Sequence, residues 1–197
     1  MPNLPEQDLF LTADGALAAV IERLSPGQLA LLAPADWTRR FEDPTLGQIV
    51  LVHAHDEAFV PEVLRGTPLD EIGDRWEPVL ASDDPIAAYR SAHAAATAAA
   101  SAPLDGARTV HFSYGDYPLA EALTHLAMYR GFQSWHIARL AGFDDTMSPE
   151  LVDGLDRHVM PHADEWRQWG VFPPAIEPPA GADAQTRLLC AAGYWAA

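Results

Sequence analysis

The stretch PLAEALTHLAMYRGFQSWHIARLAG, residues 118–142, decides the fold. Pro118 suits a helix start, where a missing N–H costs nothing, and Ala141-Gly142 offers the glycine that commonly ends one. Between them Leu119, Ala122, Leu126, Ile137 and Leu140 recur at helical spacing and define an apolar side. Gln133 falls near the centre of that side with Tyr129 beside it, and His125 and His136 lie on the flank next to Tyr129. An amphipathic helix of this length must bury its apolar side against other helices.

The remainder of the chain supplies them. Asp14 to Leu24 reads as a first helix, and Ser25-Pro26 starts a short second one through Leu32. After an irregular connection from Pro34 to Pro44, Thr45 caps a helix to about Leu64, which Pro61 is expected to kink or end early. Gly66 to Asp84 is a loop, and Asp84-Pro85 opens a long helix through about Ala102. Arg108 to Ser113 alternates and reads as extended. Ser148-Pro149 caps a further helix to about Trp169. The proline-rich Val171 to Pro179 forms an extended strap, and Asp183 to Ala192 a terminal helix. The pattern predicts one all-α domain over residues 1–197: an antiparallel four-helix bundle with a long crossover, on which residues 170–197 pack.

Composition narrows the chemistry. The 197 residues are 49% apolar, ample for one core, and carry a formal charge of -16. Such a surface repels phosphate backbones and anionic lipid, so nucleic-acid and membrane partners are not expected. All 12 basic residues are arginines, which excludes Schiff-base lysine chemistry and a Walker-type phosphate lysine. Cys190 is the sole cysteine, so no intramolecular disulfide forms, and its place among Leu188, Leu189 and Ala191 reads as core packing. No leader-like or membrane-spanning run is present, and a cytoplasmic location is expected.

On a wheel at about 100° per residue, Leu46, Ile49, Val52, Phe59, Val60, Val63 and Leu64 share one side of the helix that follows Thr45. Asp56 falls in the middle of that side, with His53 and His55 towards opposite edges. An unpaired buried carboxylate is costly, so Asp56 marks either a structural acceptor or a pocket. Of the eight histidines, Glu121 and His125 stand one turn apart, the spacing of many helical metal sites, but no spacing supplies a third ligand. His93, His111 and His162 read as surface or loop residues. Trp37 and Trp135 are expected at the cavity, and Trp166, Trp169 and Trp195 against the strap.

The stretch from Gly131 to Gly142 resembles the His-Gly-Trp-Asp-Leu-Ala-Arg-Ala-x-Gly signature of actinobacterial DinB-like proteins, relatives of the N-terminal domain of mycothiol-dependent maleylpyruvate isomerase. The tail from Gly170 to Gly193 and the run Glu57 to Thr67 are similar to two further anchors of that family. The resemblance implies a four-helix bundle with a divalent metal held by one His of the second helix and an acid and a His, one turn apart, of a later one. It also implies a low-molecular-weight thiol as co-substrate. Aligned on Trp135 and Arg139, the ligand His falls at Gln133 and the acid at Tyr129; aligned on Pro61 and Gly66, the first His falls at Val52. A shift of one residue would bring in His53 at the expense of the Pro61 anchor.

The place where relatives hold metal therefore reads as a metal-free pocket. In the leading reading the chain is an isomerase, cyclase or lyase acting on a small organic substrate without a cofactor, in specialised metabolism. Asp56 is its base, Tyr129 or His125 its acid or oxyanion donor, and Gln133 orients the substrate, with Val52, His55, Phe59, Trp135 and His136 around it. The charge favours a neutral or cationic substrate over an anionic one. Two alternatives stand beside it: a metal- and thiol-dependent transferase or isomerase with ligands relocated to His55, Glu121 and His125, and a non-catalytic binding or resistance protein. A homodimer is left open.

Overall fold

A computed structural model describes residues 3–195. Its helices are α1 (Pro5–Ile21), α2 (Pro26–Leu29), α3 (Leu46–Arg65), α4 (Leu69–Ile72), α5 (Pro85–Ala100), α6 (Leu119–Leu140), α7 (Pro149–His158), α8 (Ala163–Gln168) and α9 (Ala184–Ala192). A hairpin of β1 (Thr109–Phe112) and β2 (Gly115–Pro118) precedes α6. Most helix starts are set locally. Ser25, Thr45, Asp84, Ser148 and Asp183 each accept a hydrogen bond from an amide in the first turn that follows, satisfying a donor with no partner inside the helix.

Several expectations change. The first helix begins at Pro5 rather than Asp14, and its early residues Leu9, Phe10 and Ala13 are buried. The helix expected from Pro149 to Trp169 breaks into α7, a 3-10 turn over Met160–His162 and α8; Pro161 lies in that turn, where its missing N–H is tolerated. Pro61, in contrast, leaves α3 unbroken. The lost hydrogen bond and the ring's clash with the preceding turn cost about 3 kcal/mol, which burial of Val60, Val63 and Leu64 around it offsets.

The four long helices pack in pairs, α1 along α6 and α3 along α5. At one end Leu4 meets Gly106, whose carbonyl accepts from the Ala120 amide at the start of α6. At the other end Arg23, just past α1, sits over the Phe143 ring just past α6. These two helices therefore run the same way. Tyr89, early in α5, shares a cluster with Leu46, Ile49, Val50 and Ala54 of early α3, while Ala96 and Ala100 join Val60, Val63 and Leu64 of late α3, so this pair is parallel too. The segment 66–84, read as a loop and here containing α4 and a 3-10 turn over Glu77–Ala81, makes that possible by carrying the chain back along the bundle. Antiparallel packing holds only between the pairs, as where Gln7 of α1 donates to the carbonyls of Ala100 and Ala102 at the end of α5.

The interior is two apolar clusters with a charged layer between them. One cluster contains Ala13, Val60, Ala96 and Ala127, and the other Leu17, Ala54, Tyr89 and Ile137. In sequence, Asp14, Glu57, His93 and Arg130 fall between those two sets, one residue from each long helix. Over the α1 and α6 side, α7 packs on α1 and α9 on α7. The strap is extended as expected, and its Phe172 is buried against Phe132, Trp166 and Tyr194. Cys190 is fully buried, as its neighbours implied. No helix among the described residues is long and apolar enough to cross a membrane.

Candidate functional site

A half-open cavity of about 1000 Å³ lies between α3 and α6 and is bordered by the hairpin and the α8 region. From α3 come His55, Asp56 and Phe59, and from α6 come His125 and Tyr129. Phe112, Tyr114 and Tyr117 of the hairpin and Trp166 and Trp169 from the α8 region complete an aromatic wall. The rings are continuous: Phe112 stacks on Tyr114 with centroids 5.0 Å apart, Tyr117 meets His125 edge-on at 4.7 Å, and His125 meets Trp166 at 4.9 Å. Offset and edge-on contacts of this kind hold aromatic walls rigid.

Five of the nine residues singled out from the sequence share this cavity: Asp56, Tyr129, His125, His55 and Phe59. Val52, Gln133, Trp135 and His136 do not line it. Val52, Gln133 and Trp135 are buried in the bundle, and the His136 ring is enclosed by Trp37, Trp135 and Tyr194. Gln133 instead lies beside the fully buried His53, whose ring is 5.0 Å from Tyr129. The tryptophans trade places as well: Trp166 and Trp169 line the cavity, and Trp37 and Trp135 pack around His136. Trp166 also stacks on Phe172 of the strap.

The wheel placed Asp56 in the core, but its side chain is 39% exposed. Its neighbour Glu57 is instead the fully buried carboxylate at the middle of α3. The wheel failed because α3 is buried on nearly every side. Its residues from Ile49 to His55 are buried without a break, so apolar spacing alone cannot orient it. Glu57 accepts from the Arg130 Nε at 2.7 Å, and Asp14 lies 3.6 Å from the same nitrogen. Asp14 also accepts from Thr97 at 3.0 Å and faces the His93 Nδ1 at 3.1 Å. His93 and His111 are thus not idle surface groups: Asp14 holds the first towards its protonated form by hydrogen bonding, and the second lines the cavity beside Asp116, 2.7 Å away.

Electrostatics divides the cavity groups into acceptors and donors. Burial, followed by the charge of Asp56, raises the Tyr129 phenol well above its ordinary range. The Tyr114 phenol is raised by burial, by Tyr117 and by Asp56. Both phenols therefore keep their protons at neutral pH. Burial, helped by His162, pushes His125 down to about 4, so its imidazole is neutral, and its Nδ1 lies 3.5 Å from the Tyr114 hydroxyl. The result is that Asp56 shares a half-open aromatic cavity with two protonated phenols.

The metal implied by the resemblance does not fit the residues present. The three aligned positions, Val52, Tyr129 and Gln133, offer an alkyl group, a protonated phenol and an amide, and the adjacent His53 is the lone imidazole. Nor do the relocated candidates converge, since Glu121 reaches His125 only at 3.9 Å and His55 faces Asp56 and Glu77 instead. Among the described residues, Asp14, Glu57 and His93 do bring ligand atoms within 4.8 Å of one another, but the Arg130 guanidinium already supplies the positive charge there.

Comparisons with family models, curated proteins and solved structures give no match. The geometry of the cavity therefore carries the functional reading. The residues that the sequence reading misses are the hairpin rings Phe112, Tyr114 and Tyr117. A partial signal was present: Phe112 lies in the alternating segment Arg108 to Ser113, and Tyr114 and Tyr117 follow directly after it.

Proposed function

We propose that the chain is a small-molecule enzyme working by acid–base chemistry in this cavity, of the isomerase, cyclase or lyase type. Asp56 acts as the base, and Tyr129 is the proton donor, with Tyr114 opposite. The observation that carries this reading is that Asp56, the half-buried Tyr129 and the more exposed Tyr114 line one aromatic-walled cavity, where the charge of Asp56 helps both phenols keep their protons. A base and a neutral donor facing one substrate can remove a proton from carbon while the phenol stabilises the oxyanion that forms. Return of the proton to a different carbon completes an isomerisation; loss of a leaving group, protonated by the phenol, completes an elimination. His125 positions Tyr114 through its ring nitrogen. No cofactor enters this reading, and the DinB-like resemblance belongs to the same proposal, supported by four long helices in one bundle.

The test is to incubate the purified protein with fractionated small-molecule extracts and follow masses by chromatography and mass spectrometry. The expected result is a compound consumed to an isomer, or to a product lighter by one small leaving molecule, by the wild type but not by Asp56→Asn. Retention of a compound without conversion would instead make the chain a binding protein. Equal conversion by wild type and Asp56→Asn would remove Asp56 from the mechanism.

A further inference from the structure

The arginines that line the cavity are already matched by carboxylates. Arg40 pairs with Glu77 at 3.2 Å, and the buried Arg130 is engaged by Glu57 and Asp14. His111 faces Asp116 at 2.7 Å, and His125 is neutral. Asp56, in contrast, has no arginine partner among the described residues; the His55 Nδ1 lies 3.5 Å from it. Asp74, a second carboxylate on the lining, likewise pairs with no arginine among the described residues. The enclosure therefore has spare negative charge and no spare arginine, and its walls are aromatic. Aromatic faces attract cations through their quadrupole, most strongly where water is excluded.

We propose that the cavity takes an organic cation: an apolar or aromatic body bearing a protonated amine or quaternary ammonium, with the nitrogen beside Asp56 among the rings of Phe59, Tyr114 and Tyr129. This rests on the reading of the cavity as the working site and goes further, because it names the charge of the ligand. An anionic ligand is disfavoured on both counts, since Asp56 repels it and the ring faces repel it. A neutral ligand of the same shape gains the apolar contact but neither attraction.

The probe set is benzyltrimethylammonium, its uncharged carbon isostere neopentylbenzene, and phenylacetate, each titrated at physiological salt with ligand-observed nuclear magnetic resonance. Since the whole protein is acidic, Glu150→Gln on the exposed face of α7 controls for general attraction of cations. The expected result is that the ammonium binds about tenfold more tightly than its isostere. Asp56→Asn should erase most of that ratio without weakening neopentylbenzene, and Glu150→Gln should leave the ratio unchanged. Asp56→Ser replaces Asp56→Asn if the latter does not fold. Equal or tighter binding of neopentylbenzene or phenylacetate, or a ratio unmoved by the Asp56 variants, overturns the proposal. If neopentylbenzene binds best and Phe59→Ala weakens it, the cavity reading stands and only the charge preference falls. If none of the three binds, both fall together.

Discussion

Arg130 of α6 donates to Glu57 of α3 across 2.7 Å, and both side chains are 1% exposed. The pair is the centre of a layer that also takes Asp14 from α1 and His93 from α5. Each long helix thus contributes one group to a single charged network between two apolar clusters. Removing a buried charge from water is costly, so such a layer favours one register of the four helices over others more than it adds net stability.

Loss of Arg130 leaves Glu57 without its partner and leaves His93, beside Asp14, as the remaining basic group of the layer. Arg130→Met is expected to destabilise the fold by about 3–5 kcal/mol, read as a shift of the urea midpoint. Glu57→Gln, which keeps an acceptor for Arg130, should cost clearly less. Equal costs would show that the network is not organised around the arginine.

Acid should weaken the fold through His53. Burial depresses this imidazole from 6.5 to about 4, against the smaller raising effects of Asp56 and Gln133 and together with Arg130. The unfolded chain binds a proton below about pH 6.5 that the folded one refuses until about pH 4. Stability therefore falls as pH drops through that window, by roughly 3 kcal/mol when the shift is fully expressed. Urea melts from pH 7 to pH 4 should show a shallower decline for His53→Leu than for the wild type.

Tyr129→Phe and Gln133→Ala separate the cavity from the core. Once a substrate is in hand, Tyr129→Phe should lower kcat at least about 100-fold, the scale of a lost acid–base partner. Gln133 does not line the cavity, so Gln133→Ala should lower the melting temperature and leave KM in place. A KM effect from Gln133→Ala would move the site deeper into the bundle.

Two glycines test how the strap is held. Gly181 and Gly193 both have left-handed backbone, with φ of 78° and 80°. A Cβ on Gly181 would meet nothing within 4 Å, whereas one on Gly193 would lie 2.6 Å from the Pro174 carbonyl oxygen. Gly181→Ala should cost about 1 kcal/mol from backbone strain alone, and Gly193→Ala considerably more, because the strap must move. Thermal melts of the two variants compare these costs directly.

Chelation gives a further check. Because Arg130 supplies the positive charge between Asp14 and Glu57, treatment with EDTA should leave the melting temperature unchanged, and zinc should not raise it. A rise of several degrees with stoichiometric zinc would show that the cluster accepts a metal in spite of the guanidinium.

What could be read along the chain was what neighbouring residues decide among themselves. Thr45, Asp84, Ser148 and Asp183 announce their helices because a cap bonds an amide only a few residues away, and the strap is extended because its prolines permit little else. The identity of the buried carboxylate was beyond that reach. Asp56 and Glu57 are adjacent on a helix buried nearly all round, and the choice between them was made by Arg130, which is distant in sequence and arrives only when α6 packs. The aromatic cavity has the same origin: Phe59, Tyr114, Tyr129 and Trp166 come from separate elements, and a cavity is a property of how elements pack rather than of any one of them.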